Sequence, residues 1–336
     1  MNFENFLDEY QKESVKEYPN QVSPNDCLLT VRVITYNHVD FIKRCLDSIL
    51  EQKTNFKFQV MLIDDASTDG TSDICKEYAH AHPELIRYFA NSRVNNIYIN
   101  NKPTGLFNAV YLNFLTTTKY LSFIEADDYW SDEYNLQKKI DILESNPKYS
   151  FCFSNGVRLE NEKQGDGTKN MINLKSAGVI KKHDLMDLNI PTASLVFRNI
   201  IRDKFHPEML TIPNGDILLR AKLAHIGCGY YLNNIKPVYR RVHAGGAYSS
   251  LDLDQKFEMM ISTRKAIISY FAKNNWNTDF LYHNLCFILL KKIRRKLKRG
   301  RLDLSSLKDL FFYTNKIGKS KLFLLNQLVF GQKANN

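Results

Sequence analysis

The 336-residue chain has no CxxC pair, and its six cysteines, Cys27, Cys45, Cys75, Cys152, Cys228 and Cys286, are scattered along its length. That spacing excludes a cysteine-based zinc site and gives no disulfide frame; it reads as the reduced, buried thiols of a cytosolic protein. No apolar run reaches the ~18 residues that a bilayer span needs. The opening residues, Met1-Asn2-Phe3-Glu4-Asn5-Phe6-Leu7-Asp8-Glu9, are mixed and acidic, unlike a signal peptide. A soluble, cytoplasmic protein is expected, with peripheral contact on the inner face of a membrane left open. Internal repeats and low-complexity tracts are missing as well. So is a Gly-rich phosphate loop after the first strand, where Thr35-Tyr36-Asn37-His38 stands instead. That absence counts against a nucleotidyltransferase.

A hydrophobic fraction of 44% is ample for a core. The formal charge of +10 is uneven, and its densest block is Lys291-Lys292-Ile293-Arg294-Arg295-Lys296-Leu297-Lys298-Arg299-Gly300-Arg301. Leu289, Leu290, Ile293 and Leu297 recur at helical spacing through it. Such a basic amphipathic helix suits an anionic membrane surface, and equally suits packing on the body of the protein with its lysines solvated. Nucleic acid is not the expected partner, because no aromatics are interleaved with the basic run.

The most informative stretch is Tyr120-Leu121-Ser122-Phe123-Ile124-Glu125-Ala126-Asp127-Asp128-Tyr129-Trp130, an apolar strand that ends in three carboxylates. Clustered anions are costly to desolvate without a cation or hydrogen bonds. They belong in a crevice at the strand's C-terminal end, where open α/β sheets bind ligands. A divalent cation is one explanation and a polar helix-capping loop the other. A second strand, Phe58 to Ile63, ends in Asp64-Asp65-Ala66-Ser67-Thr68-Asp69-Gly70. In a parallel sheet both acidic loops lie on one edge.

The pattern around these strands alternates. A short helix is expected within 3–18, strands over 28–34, 58–63, 85–89 and 120–124, and helices over 40–52, 71–82 and 106–115. Ser67, Thr68 and Asp69 are N-cap candidates for the helix from Thr71. This is a doubly wound α/β fold with a largely parallel sheet. Further on, strands are expected over 149–154 and 193–198, a variable loop over 160–170, a helix near 199–204 and another from Ile217 to His225. Cys228–Leu232 and Ile235–Arg241 read as a short hairpin. From Gln255 the pattern is helical, broken at Gly300 and Gly318.

Four ordered segments carry a family likeness: Val31-Arg32-Val33-Ile34-Thr35-Tyr36-Asn37, Leu46-Asp47-Ser48-Ile49-Leu50-Glu51-Gln52, Ile63-Asp64-Asp65-Ala66-Ser67-Thr68-Asp69-Gly70-Thr71, and Glu125-Ala126-Asp127-Asp128-Tyr129-Trp130. Together with Asn214-Gly215-Asp216 and Val238-Tyr239-Arg240-Arg241-Val242-His243-Ala244-Gly245-Gly246, the series resembles the family 2 glycosyltransferases. The likeness implies a Rossmann-like GT-A catalytic domain over 28–250; the apolar spacing adds a helical extension over 1–27 before it and a helical region over 251–336 after it. It implies an inverting enzyme that moves a hexose or N-acetylhexosamine from a UDP-sugar to a glycan or lipid-linked acceptor in surface polysaccharide synthesis, assisted by Mn²⁺ or Mg²⁺.

By the same resemblance, Thr35 and Tyr36 meet the nucleotide, Tyr36 stacking on its base. Asp65 bonds a uracil-type base, with Asp64 beside it, and Asn108 faces the nucleotide. Glu125, Ala126 and Asp127 stand at the DxD motif, Glu125 near the ribose and Asp127 on the metal. Asp128 and His243 are further metal candidates, and Asp216 matches the catalytic base. Plainer roles stand beside these: a helix cap for Asp216 and Asn108, a loop aromatic for Tyr36, a structural histidine for His243, and a solvated hairpin edge for Arg240 and Arg241. Ile34 in place of a common Pro, and Glu125 in place of Asp, depart from the family pattern. A processive synthase is not implied, because no Gln-x-x-Arg-Trp motif is present. The alternatives are an inactive nucleotide-binding scaffold of the same fold, or a nucleotidyltransferase.

Overall fold

The computed structural model describes residues 1–99, 101–160, 169–200, 207–243 and 251–317. Most of the expected loop over 160–170 and of the helix near 199–204 lies outside them, as do Ala244-Gly245-Gly246 and Gly318. The chain divides into two compact units, one of residues 1–180, 189–210 and 226–243, the other of 181–188, 211–225 and 244–336. The division runs through the expected 28–250 segment, since Thr211–His225, which holds Asp216, groups with the C-terminal helices.

The first unit opens with α1 (Phe3–Tyr10) and a short edge strand β1 (Lys16–Glu17), then alternates β2 (Leu29–Thr35), α2 (Ile42–Leu50), β3 (Phe58–Asp64), α3 (Thr71–Ala81) and β4 (Ile86–Ala90). A small ribbon, β5 (Tyr98–Ile99) with β6 (Lys102–Pro103), precedes α4 (Leu106–Leu115), β7 (Tyr120–Glu125), β8 (Tyr129–Trp130), α5 (Asn135–Ser145), β9 (Tyr149–Ser154), β10 (Gly156–Glu160), β11 (Lys169–Asn170) and β12 (Gly178–Ile180). After α6 (Lys182–Asp187), which belongs to the second unit, β13 (Val196–Arg198) returns to the sheet. α7 (Gly215–Ile226) is again in the second unit, and β14 (Cys228–Leu232) and β15 (Val238–Val242) complete the first.

Apolar periodicity explains the layering. Ile42, Cys45, Leu46 and Ile49 bury one face of α2 against Val31, Val33, Val60 and Leu62 of the sheet. Among the described residues the main sheet has nine strands in the order β1-β4-β3-β2-β7-β13-β9-β14-β12. β4, β3, β2 and β7 run parallel, as do β9 and β14, while β13 is antiparallel to both its neighbours. Arg32 is buried within this sheet, its guanidinium 4.1 Å from the Phe123 ring centroid and bonded to Asn113.

Two local expectations change. Cys228–Leu232 and the strand after it form no hairpin with each other: β14 pairs with β9 in the main sheet, and β15 pairs with β10 and β8 in a second one. Adjacent apolar strands resemble a hairpin locally, but each found a longer parallel partner elsewhere. The N-cap of α3 is Gly70, at φ +100°, a conformation glycine adopts without strain. Of the three polar candidates only Asp69 serves that end, accepting from the Thr71 N–H at 3.0 Å.

The second unit is helical: α6 and α7 with α8 (Leu253–Lys273), α9 (Asp279–Lys298) and α10 (Leu304–Thr314). Asp252 and Gln255 cap α8 reciprocally. On α9 the basic stripe resolves clearly, because Leu289, Leu290 and Ile293 are buried in the unit and Leu297 is exposed. Lys292 is drawn inward to Glu258 at 2.7 Å and Asp303 at 3.2 Å. All six cysteines are free thiols. No helix among the described residues is long and apolar enough to cross a membrane.

Candidate active site

β2 lies between β3 and β7 in register, Thr35 opposite Asp64 and Ile34 opposite Glu125. The loops that follow the three strands therefore leave the same sheet edge side by side: Tyr36-Asn37-His38 in the middle, Asp65 on one flank and Asp127 on the other. The middle loop is pinned from the Asp65 side. Asn37, at φ +53°, takes the Ser67 hydroxyl on its N–H and accepts from the Thr68 N–H. The His38 N–H meets the Thr71 hydroxyl at 2.9 Å.

On the Asp65 flank a buried carboxylate is saturated. Oδ1 accepts from Asn91 at 3.1 Å and Asn108 at 2.9 Å, and Oδ2 from Arg93 and Asn96, both at 2.9 Å. A carboxylate offers about four lone-pair positions, so all are used. The three asparagines are buried, and Arg93 is the partly exposed donor. The same guanidinium lies 3.8 Å from the ring centroid of Tyr36, which is exposed. Asn108 is not a helix cap: Gly105 caps α4, and the Asn108 amide is spent on Asp65. The Asp64 carboxylate turns into its own loop, accepting the Ser67 N–H at 3.1 Å and the hydroxyls of Ser67 and Ser72. Thr35 is buried and bonds its hydroxyl to His38 Nδ1 at 3.2 Å.

The other flank is built by β8. Trp130 is buried, its indole donating to the Ala193 carbonyl at 2.8 Å, which fixes the chain just after the acids. β8 then pairs antiparallel with β15, Trp130 opposite Val238 and Tyr129 opposite Tyr239, with the two tyrosine rings stacked at 4.8 Å. That register returns β15 over the acidic turn. The Arg241 N–H donates to Asp128 at 3.1 Å, and the Arg241 guanidinium to the Asp127 carbonyl at 2.9 Å. Arg241 also faces the rings of Tyr129 and Phe41, so it is not a solvated edge. His243 reaches Asp127, Nε2 to Oδ2 at 3.1 Å. Burial, then the neighbouring Asp127 and Glu125, hold the Asp128 carboxyl well above its ordinary range. Burial pulls the His38 imidazole down, against the opposing pull of Asp127.

Two donor sets converge here: Glu125, Asp127 and Asp128, and His38, Asp127 and His243, with the ligand atoms of each set within 4.8 Å of one another. Carboxylate oxygens with imidazole nitrogens are a chemically sound set for a divalent cation. Ala126, between two of the acids, is fully buried and anchors the turn. Asp216 lies in the second unit, exposed in the first turn of α7.

The sequence model described as glycosyl transferase family 2 matches residues 30–205. The chain belongs to that family. An uncharacterized protein of Mycobacterium tuberculosis is 29% identical over 232 residues, which are 68% of this chain and 62% of that protein, so the match spans less than two thirds of the relative's length. The glycosyltransferase GlyA of Streptococcus pneumoniae is 32% identical over 141 residues, 39% of this chain and 18% of that one. The crystal structure of S. aureus TarS 1-349 in complex with UDP-GlcNAc superposes with a TM-score of 0.54 at 16% identity, covering 86% of this chain and 80% of that one. This is a likeness of fold, and the fold is the GT-A type expected from the sequence.

Beside the positions that the family resemblance supplied, sequence reasoning missed Asn91, Arg93, Asn96 and His38. The first three lie in the Asn-rich loop after β4, whose only signal was its density of amides. His38 lies in the loop after β2, but nothing in its spacing marked it.

Proposed function

We propose that the chain is an inverting, UDP-sugar-dependent glycosyltransferase that moves a hexose or N-acetylhexosamine onto a glycan or lipid-linked acceptor at the cytoplasmic face of a membrane. The observation that carries the reading is the pair of acidic loops flanking Thr35 on one sheet edge, in a family 2 chain. Tyr36 and Asp65 are assigned the base, and Glu125 the ribose. Asp127 and His243, with Asp128 behind them, are assigned a Mn²⁺ or Mg²⁺ ion. Such an ion, when bound, neutralises charge that develops on the departing diphosphate. Asp216 is assigned the proton of the acceptor hydroxyl as that oxygen bonds to the anomeric carbon and the carbon–diphosphate bond breaks. Attack opposite the leaving group inverts the centre.

Membrane contact is assigned to the second unit, where Phe311 (73% exposed) and Phe312 (56%) are exposed, as are Leu302, Leu304, Lys298, Arg299, Arg301 and Lys308 in the same stretch of chain. Exposed apolar side chains together with cations suit an anionic bilayer surface.

The test is a screen of nucleotide sugars with Mn²⁺ and Mg²⁺, reading release of the nucleoside diphosphate. Release of UDP from a UDP-sugar, abolished in Asp127→Ala, is the expected result. Pyrophosphate as product, or UDP binding with no turnover of any donor, would overturn the reading.

A further inference from the structure

We propose that His38 is a third protein ligand of the cation, so that the site is made of one carboxylate and two imidazoles. The inference rests on the metal reading of Asp127 given above and extends it to a residue outside the acidic turn and outside β15.

The geometry is specific. His38 is fixed through its backbone at both ends, its N–H to Thr71 at 2.9 Å and its carbonyl to the N–H groups of Phe41 and Ile42 at 2.9 Å, where α2 begins. Its Nδ1 faces the Thr35 hydroxyl at 3.2 Å. That contact engages one ring nitrogen and leaves Nε2 for a ligand, the arrangement in which a second hydrogen bond orients metal-binding histidines. Its ring stands nearly perpendicular to that of His243, at 85° with centroids 6.1 Å apart, and Phe41 packs at 4.8 Å on the His243 ring. One donor atom from each of His38, Asp127 and His243 falls within 4.8 Å of the others. A histidine that served only to hold Thr35 would not need to face a carboxylate and a second imidazole.

The donor set has a consequence for selectivity. Mg²⁺ demands oxygen ligands and keeps its waters, whereas imidazole nitrogen favours later first-row ions. A site with two imidazoles therefore prefers Co²⁺ or Zn²⁺ to Mg²⁺, and most of that preference depends on His38 and His243.

The experiment titrates Co²⁺ into the full chain, with and without UDP, following the visible absorption of the bound ion, and measures Mg²⁺ by competition. Wild type, His38→Ala, His38→Asn and Asp127→Ala are compared, with circular dichroism to verify folding. The expected result is a Co²⁺ affinity lowered more than about tenfold in both His38 variants, with Mg²⁺ affinity changed far less. His38→Asn keeps a polar partner for Thr35, so it reads the loss of ligation in a folded protein. Equal Co²⁺ affinity in wild type and folded His38→Asn, with binding lost in Asp127→Ala, overturns the role of His38 and leaves the metal reading standing. Co²⁺ binding that survives Asp127→Ala overturns the metal reading and this inference with it.

Discussion

The guanidinium of Arg93 lies over the ring of Tyr36, 3.8 Å from its centroid, while its Nη1 donates to Asp65 at 2.9 Å. One side chain thus covers the aromatic face and takes the last free lone pair of the carboxylate that the resemblance assigns to the nucleobase. A base that bonds Asp65 must displace Arg93, since Asn91, Asn96 and Asn108 are buried and cannot move as cheaply. A displaced guanidinium retains its cation–π attraction for any ring stacked on Tyr36. Arg93→Ala is therefore expected to weaken UDP binding by roughly tenfold, measured by calorimetry, and Arg93→Lys to recover only part of it. Unchanged affinity would remove Arg93 from the site.

Asp216→Asn keeps the size of the side chain and its helix-capping capacity but cannot take a proton. Turnover is expected to fall by about 10²–10⁴-fold with UDP affinity unchanged. If α7 used Asp216 only as a cap, the substitution would leave turnover near wild type.

Lys139 is fully buried, its Nζ bonded to Asn135 at 2.5 Å, and burial pulls its pKa down to about 7 from the ordinary 10.5. Between those two values the unfolded chain binds more protons than the folded one, so this group makes stability rise with pH across that window. Below about pH 7 both states are protonated and the penalty is complete. Lys139→Met is expected to raise stability at pH 7 by on the order of 2 kcal/mol and to flatten the rise between neutral and alkaline pH, read by denaturant unfolding at several pH values.

Gly227 precedes β14, and a Cβ there would sit 2.7 Å from the Lys148 carbonyl oxygen. That oxygen is held by the Cys228 N–H at 2.9 Å as β14 joins β9, so it cannot move aside without breaking the pairing. Gly227→Ala is expected to cost about 1–3 kcal/mol in chemical denaturation.

Replacing Phe311 and Phe312 together by Ser is expected to reduce sedimentation with vesicles rich in anionic phospholipid several-fold, while leaving UDP binding intact. Binding to neutral vesicles is expected to be weak in either form, because the exposed cations have no partner there. Equal sedimentation of wild type and the double variant would sink the membrane contact.

Local pattern alone made much of the first unit legible. α4 spans Leu106–Leu115 as expected, and β2, β3, β4 and β7 fall within a residue or so of their expected bounds, because apolar periodicity and breakers act over a few residues. The acidic ends of β3 and β7 were readable for the same reason. The basic C-terminal helix was readable as a helix, but which way its stripe faced was not. Leu289, Leu290 and Ile293 are buried, whereas Leu297, Leu302 and, on α10, Leu304, Phe311 and Phe312 are exposed.

The sequence by itself determined the family, the alternation of strand and helix, and the placing of two acidic loops at strand ends, since each is written in contiguous residues. Tertiary structure alone decided that β15 leaves β14 for β8 and so carries His243 to Asp127, that His38 faces them both, and that Arg93 reaches across to Tyr36 and Asp65. Those contacts join residues 28 to 205 positions apart, and their geometry depends on strand register and side-chain packing that no short stretch of sequence encodes.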